Sequence, residues 1–115
     1  MHAVYDEFSG AAYVVARVKD TSWKAGPTTV ELYLESPAAA QEPPKQLKGY
    51  TSIDLTPGQS RFVLFRLTPS DLAYYNAGQG KFTIAPGRYT VLIGTSSTDL
   101  DNRASFDVSR FRQQR

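Results

Sequence analysis

The sequence predicts an all-β fold, an antiparallel β-sandwich of about seven short strands. Three observations carry this. Apolar residues recur at every second position in a series of short segments. Turn chemistry separates those segments at short intervals. No stretch sustains the 3.6-residue period of an amphipathic helix. The length of 115 residues sets the expectation of one domain, and 41% hydrophobic and 21% charged residues mark a globular chain.

The segments follow in order. In "AYVVARVK" (12–19), Val14, Ala16 and Val18 alternate with Tyr13, Val15 and Arg17. In "TTVELYLE" (28–35), Val30, Leu32 and Leu34 share one face and Glu31, Tyr33 and Glu35 the other. "YTSIDL" (50–55), "SRFVLFRL" (60–67), "GKFTI" (80–84), "RYTVLIGT" (88–95) and "RASFDVS" (103–109) complete the set. Between them stand Ala25-Gly26-Pro27, Pro43-Pro44, Pro57-Gly58 and Pro86-Gly87, residues that favour turns over ladders. "PAAAQEPP" (37–44) reads as an extended loop between sheets. "TPSDLAYYN" (68–76) reads as a short helical connector, with Ser70 as cap and Asp71 at its positive end. The expected core is Val30, Leu32, Leu34, Val63, Phe65, Leu67, Tyr89, Val91, Ile93, Phe106 and Val108. Tyr89, near the start of its strand, suits a tyrosine corner.

The order of these motifs resembles the fibronectin type III-like domain that ends many glycoside hydrolase family 3 enzymes, such as β-glucosidases and β-xylosidases. The pieces that carry the resemblance are "KAGPTTVELYLESP", "PPKQLKGYTSIDLTPGQSRFVLFRL", "SDLAYYN" and "APGRYTVLIGTSSTDLDNRASFDV", covering roughly residues 14–108. One departure is Asp20-Thr21-Ser22-Trp23, where the family usually has an Asn-Thr-Gly turn. The resemblance implies an immunoglobulin-like sandwich and an accessory, non-catalytic place in a larger hydrolase. The family's catalytic carboxylates lie on a preceding barrel and the domain after it, so no catalytic residue carries over to this chain.

The residues themselves agree on chemistry. There are no cysteines, which removes thiol catalysis, thiolate metal sites and disulfides. The loop Gly94-Thr95-Ser96-Ser97 lacks what a serine nucleophile needs, because the one histidine, His2, stands beside Met1 and is expected to be mobile. It also lacks the second glycine and following helix of a phosphate cradle. Glu31 and Glu35 lie about 13 Å apart on an extended strand, too far for a glycosidase pair. Asp99 and Asp101 sit in a turn, and Asp99-x-Asp101-Asn102 lacks the glycine and distal Glu of a calcium loop. We therefore expect no catalytic, cofactor or metal site.

Net charge is +2, but the 110–115 tail holds three of the 13 basic residues. Residues 1–109 carry ten Lys or Arg against eleven Asp or Glu. A nearly neutral body argues against nucleic acid as a partner. No apolar run approaches the ~20 residues of a membrane span, and "MHAVYDEFSG" has neither the basic start nor the apolar stretch of a signal peptide. The compartment stays open. The domain is expected to span 1–115, with its core over about 12–109 and a solvated basic tail.

Two surfaces could meet a partner. Tyr13, Val15 and Arg17 point outward beside Phe62, Leu64 and Arg66, putting four large apolar side chains and two arginines on what should be a wet sheet face. The expected partner is the catalytic domains of a parent glycoside hydrolase. The alternative is that residues 37–46 or the N-terminal segment cover this face. The opposite sheet offers Glu31, Glu35, Thr90, Ser105 and Asp107, an ordinary polar face. Trp23, Tyr33, Tyr50, Tyr74 and Tyr75 form the alternative surface, a platform on which polysaccharide or a lignin-like polymer could stack.

Overall fold

The computed structural model of the chain describes residues 1–19, 26–38, 45–94, 102–109 and 112–113. Among the described residues the strands are β1 (His2–Asp6), β2 (Ala11–Lys19), β3 (Gly26–Glu35), β4 (Gln46–Leu55), β5 (Ser60–Leu67), β6 (Tyr74–Asn76), β7 (Lys81–Ile84), β8 (Gly87–Gly94), β9 (Asn102–Val108) and β10 (Arg112–Gln113). One helical turn, α1 (Pro69–Leu72), separates β5 from β6.

Two antiparallel sheets make the sandwich, in the orders β1-β2-β5 and β4-β3-β8-β9. Every predicted strand is present. The inward set of each strand fills the space between the sheets: Val14, Ala16 and Val18 from β2; Val30, Leu32 and Leu34 from β3; Val63 and Leu67 from β5; Tyr89, Val91 and Ile93 from β8; Phe106 and Val108 from β9. Phe65 differs from expectation. It points inward and packs on this core, yet it is only half-buried. It lies at the side where β4 and β5 approach each other, against the backbone of Gly49. A Cβ there would stand 3.1 Å from the Phe65 ring. On the opposite side Tyr5, Phe106 and Tyr89 stack with nearly parallel rings, at centroid spacings of 5.8 and 5.3 Å, and so tie β1 to β9 and β8.

Three strands lie outside the predicted set. β1 pairs with β2 from His2↔Val15 to Asp6↔Ala11, so the histidine expected to be mobile is held in a ladder. β6 and β7 form a hairpin, and β10 joins its edge through Arg112↔Ile84 and Gln113↔Thr83. The expected solvated tail therefore contains a paired strand. The small third sheet has the order β10-β7-β6.

The helical connector is shorter than predicted, and its cap is Thr68 rather than Ser70. Thr68 Oγ1 accepts from the Asp71 backbone N at 3.3 Å. The Asp71 carboxylate accepts from the Thr68 backbone N at 2.8 Å. That reciprocal pair satisfies the exposed amides of the first turn and seats the buried Leu72. The turn after β4 is as read. Pro57 and Gly58 occupy its centre, Gly58 has φ 79°, and Gln59 N donates to Thr56 O at 2.9 Å, which is type II geometry.

Candidate docking face

The ladder β1-β2-β5 fixes the outer face row by row. Val4, Tyr13 and Arg66 form one row. His2, Val15 and Leu64 form the next, and Arg17 with Phe62 the third. The structure thus brings all six predicted residues together as three cross-strand pairs. Phe62 is 76% and Leu64 67% exposed, against 37% and 38% for Tyr13 and Val15 on the central strand. Arg66 Nε donates to the Tyr13 hydroxyl at 3.5 Å, a long bond between neighbouring strands.

The N-terminal strand does not cover this face. It widens it, because Val4 stands beside Tyr13 and is 63% exposed. Sequence reasoning missed Val4 although the signal was present: in "HAVYD", Ala3 and Tyr5 alternate with His2 and Val4. The β1–β2 turn is tightly bonded. Asp6 accepts from Phe8 N at 3.0 Å and from Ser9 Oγ at 2.9 Å, and Gly10 takes φ 75°. It carries Phe8 at 96% exposure.

The second sheet is less uniformly polar than predicted. Ser105 and Asp107 are exposed, and Asp107 meets Arg88 at 3.4 Å in a solvent-washed ion pair worth little. Yet Leu92, on the same outer face, is buried. A β-bulge between Leu32 and Tyr33 sets Tyr33 opposite Leu47 on one side, while Tyr33 pairs with Leu92 on the other. Tyr33 donates to Glu31 Oε2 at 3.2 Å, and Lys45 Nζ lies 5.4 Å from its ring centroid. Tyr50 is 74% exposed nearby on β4, opposite Glu31.

The five aromatics read as a stacking platform are not assembled as one. Tyr74 is buried, and Asn76 Nδ2 donates to its hydroxyl. Tyr75 sits on the third sheet, edge-on to Phe82 at 5.3 Å and 78°. Tyr33 and Tyr50 belong to the second sheet. Trp23 lies outside the described residues, as do Ser96, Ser97, Asp99 and Asp101. Among the described residues, no three of His, Cys, Asp and Glu are grouped as a metal would require.

A two-sheet sandwich with strand order β1-β2-β5 over β4-β3-β8-β9 and a buried tyrosine corner is an immunoglobulin-like domain. The family model for the fibronectin type III-like domain matches residues 28–97, and the chain belongs to that family. It is 38% identical to the probable β-glucosidase L of Emericella nidulans over 104 residues. It is 37% identical to the probable β-glucosidase L of Aspergillus fumigatus over 106 residues. These matches take in 90% and 91% of this chain but only 14% of either relative, so the chain spans about one seventh of their length. Among solved structures, the Bifidobacterium adolescentis family GH3 β-glucosidase superposes with TM-score 0.82 at 30% identity, covering 93% of this chain and 16% of that one. The Thermotoga neapolitana β-glucosidase 3B gives 0.85 at 26% identity, covering 98% and 16%. The resemblance read from the motifs is the family that the comparisons return.

Proposed function

We propose that this chain is a non-catalytic accessory domain of a family 3 glycoside hydrolase, and that it packs on the catalytic domains through the outer face of β1-β2-β5. One observation carries the reading. Val4, Tyr13, Val15, Phe62 and Leu64 lie contiguous on three adjacent strands of a sheet whose inner face already packs the core. A sheet face left to water carries polar side chains, and a contiguous apolar one flanked by arginine has the composition of a protein–protein interface. The matching segments in the relatives are likewise small parts of β-glucosidases.

The test is to place this chain in the Emericella nidulans β-glucosidase L in exchange for its matching segment, with Phe62→Ser and Leu64→Ser in a second version. The double change lowers the unfolding temperature of the whole enzyme while the free chain, in which both side chains are solvent-washed, unfolds as before. Equal unfolding temperatures of the two enzymes would overturn the docking role.

A further inference from the structure

The charged residues of the face say what kind of surface covers it. Arg17 and Arg66 stand on neighbouring strands, two rows apart, hence about 14 Å from each other along the ladder. His2 occupies the row between them, at the β1 edge. Among the described residues no carboxylate stands within those three rows. The next one along, Asp6, spends its two oxygens on Phe8 N and Ser9 Oγ in its own turn. The apolar centre is thus flanked by cationic side chains without acidic ones interspersed.

Resting on the docking reading, we propose that the occupant is an apolar protein surface of the same polypeptide that carries carboxylates opposite Arg17 and Arg66, and not a second copy of this chain. A two-fold pairing sets this face against its own copy, and since its charges are cationic, every charge-to-charge meeting across it would be cation against cation. Guanidinium groups are instead suited to bidentate contact with carboxylates, and Arg66 spends only its Nε on Tyr13. The relatives extend far beyond the segment this chain matches, so a tethered surface is available in proteins built this way. The arginines then select the partner and its register, while Phe62 and Leu64 supply the buried area.

The experiment uses the same exchanged enzyme and reads how fast a protease that does not cut at arginine severs the junction between this chain and the rest. Arg17→Glu with Arg66→Glu accelerates release about tenfold, and raising NaCl from about 0.05 M to about 0.5 M narrows the gap between the variant and the parent. If Phe62→Ser with Leu64→Ser releases the domain but charge reversal and salt do nothing, the acidic partner surface is refuted and docking survives. If neither pair of changes alters release, docking itself fails. Sedimentation of the free chain decides independently of whether the exchanged enzyme folds. The chain stays monomeric at low salt, and a dimer that Phe62→Ser with Leu64→Ser abolishes would make a second copy the occupant and overturn the proposal.

Discussion

Tyr89 donates its phenolic hydrogen to the backbone carbonyl of Ala85, four residues upstream, at 2.8 Å, and both residues are completely buried. The bond holds the chain where it leaves the small third sheet and enters the central strand β8. The same ring stacks on Phe106, so one side chain joins a turn, two strands and the core.

Replacing Tyr89 by Phe keeps the ring and strands the Ala85 carbonyl in an apolar setting. That costs about 1–3 kcal/mol, measured by urea unfolding. The hydroxyl also sets an alkaline limit. Burial, then the nearby Tyr5, raises the Tyr89 phenol above its ordinary value. A group whose ionisation is harder in the folded state gives stability that is complete below the unfolded value near pH 10 and declines as pH rises past it. Tyr89→Phe should therefore flatten the loss of stability above about pH 10. A variant as alkali-sensitive as the parent would show that another group governs.

Gly87 opens β8 with φ 130°, and a Cβ there would stand 2.8 Å from the Cβ of Pro37. Gly87→Ala is opposed twice, by backbone conformation and by contact with a ring that has little freedom to move. It should cost about 1–3 kcal/mol. Gly58 is the control, because its φ of 79° is also left-handed but open space surrounds it. Gly58→Ala should cost about 1 kcal/mol, so unequal shifts in the urea midpoint are expected.

The period of two made the two sheets and their inner faces legible, because a strand such as β3 is buried on one side and its side chains alternate in burial from Val30 to Glu35. The tyrosine corner was legible for a related reason: a tyrosine at a strand entrance beside a Pro-Gly turn has few other uses. The third sheet was legible only in part. Lys81–Ile84 shows in "GKFTI", but Tyr74–Asn76 is too short to show a period and is continuous in sequence with the helical connector. β1 was hidden by its position, since an alternation next to Met1 was read as a terminus. The six outward residues of β2 and β5 were legible in placement because which face they take follows from alternation alone. The buried Leu92 was not, since alternation along β8 places it on the outer face with Arg88 and Thr90.

Partial exposure should lower the cost of a core truncation below what its side-chain size alone would give. Val91 is completely buried and contacts the core from the middle of β8. Its replacement by Ala should cost about 2–3 kcal/mol. Phe65 is the larger residue but sits half-buried at the β4–β5 side, with its ring against the Gly49 backbone. Phe65→Ala should fall near the bottom of the 3–5 kcal/mol range typical of buried phenylalanine, at about 3 kcal/mol. A cost for Phe65→Ala near the top of that range, about 5 kcal/mol, would mean that this side of the sandwich is closed in solution.

The free chain should hydrolyse no glycoside. Glycosidases set two carboxyl groups roughly 5–10 Å apart across the scissile bond, one of them held protonated by its surroundings. Four of the described carboxylates have partners of their own. Asp6 shapes the first turn, Asp71 completes the cap with Thr68, Asp107 meets Arg88 in water, and Glu31 accepts from Tyr33. Glu31 and Glu35 share a face of β3 but are four residues apart, about 13 Å along an extended strand. Purified chain assayed on aryl glucosides and xylosides should therefore give only the background rate. Glu31→Gln and Asp99→Asn controls separate real turnover from a contaminating hydrolase. Turnover that co-purifies with the chain and disappears in either variant would make it an enzyme in its own right.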